Sequence, residues 1–414
     1  MRRFSLIALL LVGATSMSAT RDAQAQSDAT PPLQQPSATR PARRMPMPQP
    51  TLDGTPVAPA AIDAPATPAP VARHALIAAR AVTQPDGPMV VRVIAPDTHG
   101  ALALRVIDRS GKVLETVSVT AGSINLRPLA PSIADAQHTL WLQLMEEDQA
   151  VGTPLWITPL RAPPAVRTVR SMRLNTQQPY TRVVGWGDRA FDPHDPETAQ
   201  AMPSWVASDP VITGGFRLES ACDAVLHTSE GDLRVAFAPD AAPATVDNFL
   251  RLARVGFYDG TIFHRIVPLD REGRPFVVQG GDPTGTGDGG PGWNLALEPS
   301  DMPHARGVLG MARGDDPHSA GSQFYIGLSR DGTARLDGQY CTFAFMLDGM
   351  DTLDRLAQSP IGDSATGRPS KPPTLDRVEI VPARACETGR PPHGGEPTPP
   401  TPVTPAEPAT AVTP

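Results

Sequence analysis

The chain is nearly devoid of lysine: of 36 basic residues in 414, only Lys112 and Lys371 are lysine and the rest are arginine. With 43 acidic residues the formal net charge is −7, which argues against a nucleic-acid binder that works by neutralising phosphates. Cysteine is also scarce. Three residues, Cys222, Cys341 and Cys386, are too few for a disulfide scaffold, and their spacing matches no zinc motif. Long apolar runs are missing beyond the N-terminus, so an integral helical membrane protein is excluded and no membrane segment is expected once a leader is removed.

Proline, by contrast, is abundant. The chain has 49 prolines and 35 glycines, and 21 of the prolines fall within residues 31–70 and 387–414. Such stretches cannot bury enough apolar surface to pack. The remaining ~310 residues carry material for one full core and a smaller second one. Residues 1–25 read as an export signal, with Arg2-Arg3, an apolar core over 4–14, and Ala23-Gln24-Ala25 as a small-x-small cleavage site. No cysteine follows to take a lipid. The mature protein is therefore expected in an oxidising compartment, exported and periplasmic, where it acts as a monomer.

Residues 26–75 read as a disordered Pro/Ala-rich tether and 387–414 as a disordered Pro/Thr-rich tail. Between them, β-type runs recur at 89–94, 101–107, 113–119, 139–145 and 155–158, separated by turn signals such as Asp108-Arg109-Ser110-Gly111. This spacing predicts a small β-sandwich-like domain over 76–162 with no chemical constellation of its own. Residues 163–220, mixing prolines, arginines, Trp186 and Trp205 without period, read as a connector.

From residue 221 the pattern changes. A hairpin is predicted from 225–228 and 233–237 around Ser229-Glu230-Gly231-Asp232. A helix follows, opened by Pro243, with Val246, Phe249, Leu250 and Ala253 on one face and Gly256 at its close. Further strands are predicted at 261–267, 276–279, 308–311, 324–326, 343–346 and 377–381, and a second helix with Met350, Leu353 and Leu356 inward. The chain is thus mainly β. Eight strands and two helices over 221–386 fit a closed eight-stranded antiparallel barrel capped by the helices.

Four blocks in this region carry a resemblance: Phe263-His264-Arg265-Ile266-Val267-Pro268, Phe276-Val277-Val278-Gln279-Gly280-Gly281-Asp282, Ala320-Gly321-Ser322-Gln323-Phe324-Tyr325-Ile326 and Leu336-Asp337-Gly338-Gln339-Tyr340. Taken in order, they resemble the signature of cyclophilin-type peptidyl-prolyl isomerases, across about 165 of the 414 residues. The resemblance implies that proline-containing polypeptides are the substrates and that no cofactor is needed. It makes Arg265, Phe276, Gln279 and Gln323 the catalytic set. Val277, Met311, Tyr325, Leu336 and Tyr340 would line the proline slot, and Ala312 and Arg313 would pair with the substrate backbone.

The chemistry agrees with that assignment on its own terms. A peptide bond resists rotation by ~18–20 kcal/mol because the nitrogen lone pair is delocalised. A catalyst needs only to favour a twisted amide whose nitrogen has become basic, and a permanently charged, planar guanidinium is suited to donate to it. Other readings are a non-catalytic proline-peptide binding module, in which the barrel only holds partners, or a chain that is chiefly a chaperone or envelope scaffold with the first β domain dominant.

The resemblance also marks departures. Arg335 stands where many members carry tryptophan, which argues for weak binding of the cyclic peptide cyclosporin, and Tyr340 stands where many carry histidine. Seven residues, Leu269 to Pro275, replace the usual single one at a hairpin tip. In the family the first and last strands are neighbours, so a Cys222–Cys386 disulfide is expected to clasp the ends of the domain. The glycines of 280–292 lack the Gly-Lys-Ser/Thr of a phosphate loop, and His264, His304 and His318 with Asp315-Asp316 show no paired metal-ligand spacing.

Overall fold

The computed structural model describes residues 74–96, 98–173, 177–205 and 213–386. The expected export signal, the tether up to residue 73 and the tail lie outside the described residues.

Two sheets make up the first β region. One has six strands in the order Val82–Thr83, Thr213–Ser220, Gln149–Arg161, Leu140–Glu146, Leu102–Ile107, Val113–Val119; the other has three, Ala75–Ala78, Val90–Ile94 and Gly122–Asn125. They share a core in which Val91 and Val93 from the small sheet meet Leu104, Leu142, Leu155 and Phe216 from the large one. The alternation of buried and half-buried residues along Leu102–Ile107 is the signature of a strand with one face on that core. The sheet does not end at residue 162, because Thr213–Ser220 returns to pair with Gln149–Arg161.

The stretch expected as a bare connector carries a third sheet: Val166–Met172, Pro179–Trp186 and Arg189–Ala190. A short helix, Pro196–Ala201, follows, capped by Asp195, whose carboxylate accepts from the Thr198 N–H.

The second β region is one nine-membered antiparallel sheet ordered Thr261–Ile262, Thr374–Pro382, Cys222–Thr228, Gly231–Phe237, Thr342–Asp348, Val308–Met311, Phe324–Gly327, Pro275–Gly280, Arg265–Leu269. Nine segments appear instead of eight because the run 261–267 is interrupted at Phe263-His264. Its two halves occupy opposite ends of the sheet order, and a single bridge joins Ile262 to Asp282.

Helix Pro243–Arg254 buries Val246, Phe249, Leu250 and Ala253, as their spacing requires. Its N-cap residue Ala242 offers no side-chain acceptor. Glu298 fills that role from a distant loop, accepting from the N–H groups of Ala244 and Thr245 at 2.9 and 2.8 Å and from Thr245 Oγ1 at 2.6 Å. Helix Met350–Ala357 buries Leu353 and Leu356.

The two β regions touch. Ile107, Trp141 and Trp156 of the six-stranded sheet and Val183 of the three-stranded sheet belong to the same apolar cluster as Phe249, Phe324 and Phe343. The Cys386 N–H donates at 2.8 Å to Gln143 Oε1 within this buried seam.

The expected Cys222–Cys386 bridge is not formed. All three cysteines are free and buried. The register sets Cys222 opposite Pro382 rather than Cys386, and Cys386 is drawn toward Gln143. Burial pushes the Cys222 and Cys386 thiols up to about 12.

Candidate active site

Strand register builds the site. Arg265 lies directly opposite Gln279, Gln279 opposite Tyr325, and Tyr325 opposite Gly310, giving a row across four neighbouring strands. Directly opposed residues on adjacent strands share a face and are close enough to touch. Arg265 Nη1 donates to Gln279 Oε1 at 3.1 Å. The Tyr325 ring covers Gly310, where an added Cβ would meet ring atoms at 2.5 Å, so the row requires glycine at that end.

Two networks pin the row. Gln279 Nε2 donates to Gln323 Oε1 at 3.0 Å, and Gln323 Nε2 donates at 2.9 Å to the carbonyls of Gly287 and Gly289. The glycine loop is itself gathered by Asp282, which is fully buried and accepts from the N–H groups of Thr284, Gly287 and Gly289. A Cβ at Gly289 would fall 2.0 Å from Asp282 Oδ1, which explains the glycine there. Burial alone would raise the Asp282 carboxyl, but these hydrogen bonds together hold it at about 2. On the other side, the Tyr325 hydroxyl and His304 Nε2 are 2.7 Å apart, and His304 Nδ1 is 2.9 Å from Asp337 Oδ1. Burial lowers His304 below the ordinary histidine value of 6.5.

Arg265, Gln279 and Tyr325 of the row border a cleft of about 1860 Å³. Arg265, Phe276, Val277, Gln279, Ala312, Arg313, Tyr325, Leu336 and Tyr340 all line it. Gln323 lines the neighbouring cavity of about 570 Å³, which shares Gln279, Ala312 and Arg313 with the first. Met311 is not among the residues lining the cleft and is buried in the core of the second β region, 2% exposed. Among the described residues no group of three or more His, Cys, Asp or Glu side chains converges to hold a metal. No helix there is long and apolar enough to cross a membrane.

Three features of the site have no local sequence signal. Arg335 lies over Phe276, 4.3 Å from the ring centroid, and its Nη1 donates to Asp270 at 2.7 Å. Asp270 sits in the seven-residue hairpin tip and also holds Arg274. The inserted tip is thus the anchor for Arg335. The Asp337–His304–Tyr325 chain is the second feature. The third is the wall of the cleft contributed by Met172, Tyr180 and Thr181, from the stretch expected to be a connector.

Known proteins resemble the second β region in sequence. The family model described as "Cyclophilin type peptidyl-prolyl cis-trans isomerase/CLD" matches residues 224–380. A peptidyl-prolyl cis-trans isomerase of Synechococcus elongatus is 43% identical over 120 residues, 29% of this chain and 77% of that protein. The human peptidyl-prolyl cis-trans isomerase-like 3 is 38% identical over 149 residues, 35% of this chain and 86% of that protein. Among solved structures, a Cryptosporidium parvum cyclophilin-type isomerase crystallised in the presence of the dipeptide Ala-Pro is 33% identical, with 38% of this chain and 98% of that chain covered at a TM-score of 0.35. Family and relatives together support peptidyl-prolyl cis-trans isomerase activity, and the chain belongs to the cyclophilin-type peptidyl-prolyl cis-trans isomerases.

Proposed function

We propose that the chain isomerises Xaa-Pro bonds in exported polypeptides, with Arg265 donating to the amide nitrogen as the bond twists. The observation that carries this reading is the state of Arg265. It is half-buried on the cleft, forms no ion pair among the described residues, and is held through a single hydrogen bond to Gln279. Burial lowers its pKa from the ordinary arginine value, yet a guanidinium keeps its charge. A structural arginine at such depth would be expected to hold a carboxylate, as Arg234 holds Asp223.

In this reading the proline ring enters between Phe276, Tyr325 and Leu336. Gln279 and Gln323 fix the direction of the guanidinium. The Ala312 N–H is already donated to Gln323 O, so the Ala312 carbonyl is the group that accepts from an extended substrate. Turning a process of tens of seconds into one of milliseconds requires roughly 5.5–7 kcal/mol of differential stabilisation. One preorganised donor in a dry site supplies roughly 2.7–4 kcal/mol. The grip on proline and the flanking peptides supplies the remainder.

Closure of the nine-membered sheet into a cyclophilin-like barrel belongs to the same reading; the Ile262–Asp282 bridge and the two halves of 261–267 at opposite ends of the sheet order support it. The export assignment rests on the leader pattern of residues 1–25. The direct test is NMR exchange between cis and trans forms of a short Xaa-Pro peptide with the full chain added. Line broadening at catalytic protein concentration is expected, and unchanged exchange would overturn the reading.

A further inference from the structure

One wall of the cleft comes from outside residues 224–380. The hairpin formed by Val166–Met172 and Pro179–Trp186 brings Met172, Arg173, Tyr180 and Thr181 to the same cleft as Arg265 and Phe276. It is docked through a strand edge. On Pro179–Trp186, the Thr181 N–H donates to Asp315 Oδ1 at 2.7 Å and the Val183 N–H donates to Gln339 Oε1 at 3.0 Å, while Gln339 Nε2 returns a bond to the Val183 carbonyl at 2.6 Å. Arg170 adds a 2.5 Å ion pair to Asp315. Val166, Val183 and Trp186 pack on the core of the second β region. Edge bonds and apolar packing together make this a built wall.

The charges on the two walls are uneven. Each carboxylate lining the cleft is engaged by arginine: Asp270 by Arg274 and Arg335, Glu272 by Arg274, Asp315 by Arg170. Four lining arginines, Arg173, Arg265, Arg271 and Arg313, have no carboxylate partner among the described residues, and two of these lie on aromatic rings. Arg173 on the hairpin lies over Tyr180, 5.1 Å from its centroid, and Arg313 on the isomerase wall lies over Tyr340 at 4.6 Å. Arg313 Nε and Nη1 donate only to backbone carbonyls. Beside the ring, the Arg173 guanidinium makes no side-chain hydrogen bond among the described residues and Arg313 keeps Nη2 unused there, donors that suit a carboxylate.

We propose that the docked hairpin is a substrate wall and that the cleft selects polypeptides carrying an acidic residue beside the proline being isomerised. This inference rests on Arg265 and Phe276 marking the isomerase site. Arg173 acts through the flanking side chain and takes no part in the bond rotation, so it sets which substrate is held.

The test compares peptides of eight residues that differ only in Glu, Ala or Lys beside a single Xaa-Pro bond, together with a neutral tetrapeptide, using the full chain. For the wild type, kcat/KM is expected to favour Glu over Lys by roughly fivefold, the scale of one or two partly exposed ion pairs, and the ratio should shrink at high salt. Arg173 is exposed, so Arg173→Glu is expected to fold and to bring the ratio to one or below. Tyr180→Ala, which removes the ring under Arg173, should lower the ratio as well. A wild-type ratio near one, or a ratio unchanged in Arg173→Glu, overturns the proposal while leaving the isomerase assignment standing. A wild type inactive on the neutral tetrapeptide overturns that assignment, and this inference with it.

Discussion

The Arg335 guanidinium roofs the Phe276 ring at 4.3 Å, and it is kept there by Asp270 from a hairpin tip 65 residues earlier. Phe276 is one wall of the proposed proline slot, so this stack decides what can lie against it. A cation that also holds a carboxylate cannot slide aside without leaving Asp270 unpaired in a site where its side chain is 3% exposed.

An apolar cyclic peptide such as cyclosporin would have to displace or cover that cation. Weak inhibition of the wild type is therefore expected, with Arg335→Trp tightening it by roughly tenfold or more through a flat apolar surface in place of a desolvated charge. Inhibition titrations against both forms check this. Tight inhibition of the wild type would contradict the roofing role.

Asp282 reaches Arg265 only through others: it gathers the glycine loop, the loop carbonyls hold Gln323, Gln323 holds Gln279, and Gln279 holds Arg265. Asp282→Ala is expected to destabilise the fold by about 2–4 kcal/mol and to lower kcat with a smaller effect on KM, because the guanidinium loses its aim before the slot loses its shape. Paired denaturation and kinetic measurements separate these effects. A change in KM alone would place Asp282 outside the positioning chain.

Stability should fall on acidification in two stages. Burial holds His264 and His304 below the ordinary value of 6.5, so below about pH 6.5 the unfolded chain binds more protons than the folded one and stability drops. The Asp282 carboxyl, held at about 2 against an ordinary 3.8, contributes fully above the unfolded value and loses that contribution as pH falls through the folded one. A Tm profile from about pH 7 downward reads both stages. His304→Gln should shrink the first, leaving the share of His264, and Asp282→Asn should shrink the second, leaving the share of Asp195, Asp270, Asp315 and Asp337; a Tm that rises between about pH 7 and 5 would contradict the assignment.

With all three thiols free and buried, alkylation of the denatured, unreduced chain should label Cys222, Cys341 and Cys386, while the native chain should react slowly. Labelling of Cys341 alone would reinstate a Cys222–Cys386 bridge.

Glu298 is the distant cap of helix Pro243–Arg254. Glu298→Ala leaves two N–H groups of the first turn without an acceptor and should cost about 2–3 kcal/mol, read by chemical denaturation. A neutral substitution would show that water replaces the carboxylate.

Much of the second β region was legible because its signals are local. The face of Val246, Phe249, Leu250 and Ala253 and the Ser229-Glu230-Gly231-Asp232 turn between two β-type runs each declare an element within a dozen residues. The row of Arg265, Gln279 and Tyr325 falls within the ordered blocks that carry the resemblance. What escaped depends on long-range pairing. Val166–Met172 and Pro179–Trp186 pair despite the mixed arginines and prolines around them because Val166, Val183 and Trp186 find a core elsewhere. Thr213–Ser220 completes a sheet begun more than fifty residues earlier. The Arg335–Asp270 tie joins two departures from the family pattern that look unrelated along the chain. The Cys222–Cys386 bridge was inferred from neighbouring strands, but a four-residue difference in register separates Cys386 from the partner of Cys222.

The central claim is that Arg265, which holds no carboxylate among the described residues, loosens the Xaa-Pro bond. The most direct measurement is kcat/KM for a neutral Xaa-Pro tetrapeptide with wild type and Arg265→Ala at matched foldedness. A loss of roughly 100- to 1,000-fold is expected, the value of one preorganised donor; a rate within about twofold of wild type would contradict the claim.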